Sequence, residues 1–195
     1  MAEKKAKSAN PKAADSRAFL TDALFLLLEN QEFKKLTVKE VVEKAGVGRA
    51  TFYRHYETLE DIVDDYVQTL QKQIWRDPGA ASQTGESPDD SERLAEMSSD
   101  VRSATERVFR ILSGEKKKLR ILKKQGLQNK LSGMIYRLTL TTIQDLGVLN
   151  NKYQPYFFAG AASAMVLAWL EYDMKESPKE MADLFMKSLR GYMDV

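Results

Sequence analysis

From Phe19 to Met193 the apolar residues recur at helical spacing, and nowhere do apolar and polar residues alternate long enough to make a strand. That periodicity restricts the chain to helices packed on helices. Only five prolines occur, at positions 11, 78, 88, 155 and 178, each in a polar stretch or near a helix start. There the missing N–H is tolerated. The spacing predicts helices over 16–30, 38–45, 48–56, 59–76, 92–112, 116–124, 129–146, 155–175 and 178–193, an all-α architecture. Thr37 with Glu40, and Ser177 with Glu180, have the spacing of capping boxes. Thr58 with Asp61 is a weaker version of the same signal. Gly46 follows Ala45 where a helix C-terminus calls for a left-handed residue.

The composition narrows the chemistry. The 195 residues contain no cysteine and one histidine, His55. Disulfides, thiolate catalysis and cysteine-based zinc sites are therefore excluded. His55 has no ligand-type residue at i±4, so no metal and no cofactor are expected. No nucleophile, base and oxyanion set can be assembled, which argues against an enzyme. The longest nearly apolar stretch, 157–170, falls short of the roughly 20 residues that span a bilayer. The first 17 residues lack the apolar core of a signal peptide. The chain is expected in the cytoplasm, with no membrane partner.

The informative block runs from Leu36 to Tyr56. It reads as two short helices joined by a turn at Gly46. Val38, Val41 and Ala45 face inward from the first, Val47 plugs the turn, and Phe52 and Tyr56 face inward from the second. This is the pattern of a helix-turn-helix, whose second helix enters the major groove. The outward residues of that helix are mostly hydrogen-bonding and none is acidic, as a surface facing phosphates and base edges requires. Arg49, in the first turn, is the candidate base reader, because arginine bidentate to guanine is the commonest specific contact.

On these residues the chain resembles the TetR/AcrR family of transcriptional regulators. The shared pattern is an apolar helix (here Phe19 to Leu28), a Thr-initiated helix ending in Ala-Gly-Val (Thr37 to Val47), and Thr51-Phe-Tyr-Arg-His-Tyr56. The resemblance covers about residues 16–63. It implies three DNA-binding helices, a larger helical domain that regulates and dimerises, and most often repression. It also implies phosphate contacts from Thr51 and Tyr53 and a groove-facing His55. The DNA-facing set is then Thr37, Gly48, Arg49, Ala50, Thr51, Tyr53, Arg54 and His55. Three positions depart from the family pattern: Gly48 replaces a Ser/Thr, Val42 a small Ala, and Leu59 a Lys.

The expected organisation is a basic amino-terminal arm at 1–15, a DNA-binding domain at 16–62 and a regulatory and dimerisation domain at 63–195, with a flexible acidic loop at 77–91. Charge is segregated along the chain. Residues 77–106 hold eight acidic and two basic residues, and 110–130 hold eight basic and one acidic. The basic run Lys116 to Lys124 reads either as a solvated face around Leu119, Ile121 and Leu122 or as a surface for DNA or an acidic partner. The apolar helix 155–175 and the last helix are expected to form a two-fold interface through Phe157, Ala161, Ala164, Ala168, Trp169, Met181, Leu184, Phe185 and Leu189. Candidates to line a pocket for a small, mostly apolar or aromatic effector are Phe109, Met134, Tyr136, Thr142, Phe158 and Met165. The expected partners are a palindromic double-stranded operator, a second copy of the chain and that effector. The competing reading is a co-regulator of the same fold whose carboxy-terminal domain binds a protein.

Overall fold

The computed structural model describes residues 11–76, 90–146 and 151–193, with side chains over 16–75, 101–144 and 151–188. Among the described residues there are nine α-helices, one 3-10 turn and no strand. The chain divides into two compact units, residues 1–66 and 67–195.

The first unit holds α1 (Pro11–Leu28), the 3-10 turn (Phe33–Lys35), α2 (Val38–Ala45), α3 (Arg49–Tyr53) and the first half of α4 (Leu59–Arg76). Helix α1 starts at Pro11, five residues before the sequence-based expectation, so 11–15 are helical. Its inward face is Leu20, Ala23, Leu24, Phe25 and Leu28, while Phe19 is 56% exposed. Eight of the ten positions from Phe19 to Leu28 are apolar, so periodicity alone did not say which row would be covered. Val41 and Val42 of α2, then Phe52, Tyr56, Ile62 and Val63, complete the core. Phe25 meets Tyr66 edge to face, ring centroids 4.8 Å apart. Val42, larger than the alanine common in the family, is fully accommodated in this core.

The second unit holds the rest of α4 with α5 (Asp90–Gly114), α6 (Lys116–Lys124), α7 (Gln128–Leu146), α8 (Gln154–Glu171) and α9 (Pro178–Met193). Helix α7 packs on α8, α5 on α9, and α6 touches α5, α7 and α8. Ser163 donates to the Ser132 carbonyl at 3.0 Å, pinning α8 to α7. Arg102 donates to Asp183 through Nε (2.8 Å) and Nη2 (2.5 Å), tying α5 to α9. Helix α8 stops at Glu171, not Lys175, because Asp173 and Met174 take left-handed conformations (φ 70° and 51°). Met174 N–H then closes on the Trp169 carbonyl at 2.8 Å, burying the Met174 side chain. No helix among the described residues is long and apolar enough to cross a membrane.

Candidate nucleic-acid interface

The turn between α2 and α3 determines how α3 is presented. Thr37 caps α2 reciprocally. Glu40 N–H donates to Thr37 Oγ1 (3.3 Å), and Thr37 N–H donates to Glu40 Oε2 (2.8 Å). The Thr37 hydroxyl, donating to the Glu40 carboxylate, and then the Thr37 N–H hold that carboxyl below its usual 4.5. At the other end Gly46 has φ 66° and Val47 N–H donates to the Val42 carbonyl at 3.0 Å, a left-handed helix stop. Nothing lies within 4 Å of where a Gly46 Cβ would project, so glycine is needed there for its backbone angle and not for space.

Gly48 caps α3 through its backbone alone, its carbonyl accepting from Thr51 (2.9 Å) and Phe52 (3.2 Å). Phe52 anchors the helix in the core. Gly48, Arg49, Ala50, Tyr53 and Arg54 are exposed, Tyr53 to 60%, and Thr51 is half-buried. The helix ends at Tyr53, so Arg54 and His55 lie on the turn that follows and not on the helix read over 48–56.

Of the remaining sequence candidates, Thr37 makes the cap its spacing predicts and the His55 ring is turned differently from expectation. The Thr37 hydroxyl is engaged in its cap, donating to Glu40 at 2.6 Å. The His55 ring is turned partly inward: its Nε2 is sealed from solvent and meets no hydrogen-bond partner among the described residues. Burial, then Arg17 and Arg54, push the imidazole below its usual 6.5, with Asp65 opposing. Among the described residues no group of three or more acidic or histidine side chains is arranged to hold a metal.

Sequence reasoning missed the polar tie behind this surface. Tyr56 donates to Asp65 Oδ2 at 2.7 Å, and Arg17 Nη1 lies 3.6 Å from Asp65 Oδ1. The available signal was an acid, Asp65, set directly before Tyr66 and close behind Ile62 and Val63 on the buried side of α4.

In the second unit, Phe109, Met134 and Phe158 are buried, Tyr136 and Met165 half-buried, and Thr142 exposed, its hydroxyl donating to the Leu138 carbonyl. A shallow cleft of about 330 Å³ is lined instead by Arg120, Lys123, Lys124, Leu170, Glu171 and Asp173. The basic run on α6 is partly neutralised within the chain: Arg120 and Lys116 pair with Asp173, and Lys123 with Glu171 at 2.7 Å. Its apolar residues Leu119, Ile121 and Leu122 are buried.

Of the interface candidates, Phe157 (51% exposed), Ala161, Ala164, Ala168 and Leu184 are outward. Trp169, Met181 and Phe185 are core residues of the subunit. Trp169 meets Phe109 edge to face at 5.2 Å, and its Nε1 donates to the Glu176 carbonyl. The Leu189 side chain lies outside the described residues.

A capped α2, a left-handed stop and a short exposed α3 define a helix-turn-helix protein. Residues 20–66 match the family described as bacterial regulatory proteins, tetR family, and residues 100–191 match the one described as transcriptional regulator C-terminal region. The chain belongs to the TetR family of transcriptional regulators, a family of regulators and not of enzymes. Over 69 residues it is 32% identical to YxbF of Bacillus subtilis strain 168, an uncharacterized HTH-type transcriptional regulator. That match takes in 33% of this chain and 18% of the relative's length. Among solved structures the chain is similar to Lin0861 from Listeria innocua, with a TM-score of 0.65 and 14% identity over 96% of both chains. It is also similar to NalD, the secondary repressor of the MexAB-OprM multidrug efflux pump in Pseudomonas aeruginosa. There the TM-score is 0.57 and the identity 15%, over 93% of this chain and 98% of that one. At these identities the likeness is one of fold.

Proposed function

We propose that this chain is a sequence-specific DNA-binding repressor acting as a homodimer on a palindromic operator in the cytoplasm. The observation that carries the reading is the outward face of α3, where Arg49, Ala50, Tyr53 and Arg54 stand exposed with no carboxylate among them. Arg49 reads a base edge, Thr51 and Tyr53 hold phosphates, and the apolar anchor Phe52 keeps the helix seated. Residues 16–62 do the binding, 1–15 form a basic arm, and 63–195 dimerise and regulate. The exposed stripe Phe157, Ala161, Ala164 and Ala168 recurs at i, i+4, i+7 and i+11 on α8. Together with Leu184 it supplies an apolar surface for a two-fold partner. A mostly apolar effector held by the carboxy-terminal unit near Tyr136 and Met165 would alter the separation of the two α3 helices and release the operator.

Selection of bound sequences from a random duplex pool tests the reading. The expected product is a two-fold palindrome bound with high specificity over random duplex. Recovery of no enriched sequence would refute it.

A further inference from the structure

Four side chains from three elements of the first unit converge behind the recognition surface. Arg17 and Thr21 lie one turn apart on α1, Tyr56 follows α3, and Asp65 sits on α4. Tyr56 is buried, yet its hydroxyl donates to Asp65 at 2.7 Å, with Thr21 in hydrogen-bonding reach of the same phenol. Arg17 faces the second oxygen of the carboxylate at 3.6 Å. Burial first, and the Asp65 hydrogen bond second, push the phenol pKa far up, so Tyr56 stays a donor at every physiological pH.

The other buried side chain of this segment, Phe52, is apolar, as are Leu20, Leu24, Val41 and Ile62, all buried in the same unit. Apolar packing resists separation but tolerates small rotations, whereas a hydrogen bond to a carboxylate weakens steeply with misalignment. Tyr56 is also bonded through its N–H to the Phe52 carbonyl at 2.9 Å, so its ring and the end of α3 move as one piece. The exposed Tyr53 and Arg54 lie within three residues of it.

We infer that Asp65 is a positioning residue for sequence reading. Through Tyr56, and with Arg17 holding its other oxygen, it sets the angle at which Arg49, Tyr53 and Arg54 meet the groove. It therefore governs selectivity among sequences and not attraction to phosphate. The inference rests on the DNA-binding role proposed above.

The test compares the full-length wild type with Tyr56→Phe, Asp65→Ala and the double variant. Each is titrated at two salt concentrations against a duplex recovered by the selection and against a random-sequence duplex of the same length, well below the melting temperature. Each single variant should weaken binding to the selected duplex about tenfold. Random-duplex affinity should stay within about twofold and the salt slope unchanged, because no cationic side chain that neutralises phosphate is removed. The double variant should be no weaker than the worse single one, as for two partners of one bond. Undiminished affinity of Tyr56→Phe for the selected duplex overturns the inference, as do equal losses on both duplexes or additive losses in the double variant. Tyr56→Phe keeps the buried ring, so it carries the test even where Asp65→Ala does not fold. If the wild type enriches no sequence at all, the proposed function falls, and this inference with it.

Discussion

Arg49 occupies the first position of α3, exposed, with a side-chain-free glycine before it and a small alanine after it. Nothing local competes for its path into a groove. Arg49→Ala is expected to weaken binding to the selected duplex by about 1–3 kcal/mol and to leave the oligomeric state unchanged. Mobility-shift titration alongside sedimentation checks both, and undiminished affinity would move base reading to another residue. His55 makes a prediction about stability. Its folded-state pKa lies below the usual 6.5, so below that pH the unfolded chain takes up a proton that the folded chain resists. The contribution is complete above pH 6.5 and is lost as the pH falls beneath it. The melting temperature of the wild type should therefore drop more between pH 7.5 and pH 5.5 than that of His55→Gln. Equal drops would show that the sealed ring is not the cause. The exposure of Arg49, Tyr53 and Arg54 was legible in the sequence because the spacing around Phe52 and Tyr56 assigns it. The inward turn of His55 was not, because the groups around it, Arg17 and Asp65, come from helices distant in sequence.

Among the elements, the helix starts were the most legible feature. Thr37 and Ser177 form the reciprocal caps their spacing predicts. Asp61 accepts from both Glu57 and Thr58 backbone N–H groups at 2.8 Å, opening α4. These signals are local, with donor and acceptor three or four residues apart. Helix stops without glycine were harder: α8 ends through left-handed Asp173 and Met174, neither of which announces the turn. The faces of α8 were equally hidden, since an apolar helix surrounded by small residues offers no polar side to mark the outside. Trp169 shows the consequence, a presumptive interface residue that is 2% exposed inside the subunit. Trp169→Ala should cost about 3–5 kcal/mol of folding stability. The loss should be the same at low and high protein concentration, as measured by denaturant melts. A loss that grew with protein concentration would return Trp169 to the interface.

For the molecule as a whole, a formal net charge of +2 conceals segregation, and internal ion pairs offset part of it. Basic residues of 116–123 pair with Glu171 and Asp173, some fifty residues onward. The sequence left the basic run as a solvated face or as a surface for DNA or an acidic partner, and these partners were not legible because nothing local links α6 to the end of α8. The proposed dimer requires the two-fold operator and the exposed α8 stripe to agree. Ala164→Arg places a charge in that stripe without touching the subunit core. It is expected to yield a monomer in sedimentation and to weaken binding to the palindromic duplex by about a hundredfold or more, through loss of avidity. A dimer that persists would place the interface elsewhere. The sparse side-chain chemistry noted at the outset also has a practical use. With one imidazole in 195 residues, isotopic labelling of histidine alone places one ring in the spectrum, with no other histidine to assign. That ring lies just beyond α3, so magnetic resonance can follow the proposed docking on DNA from a single native probe.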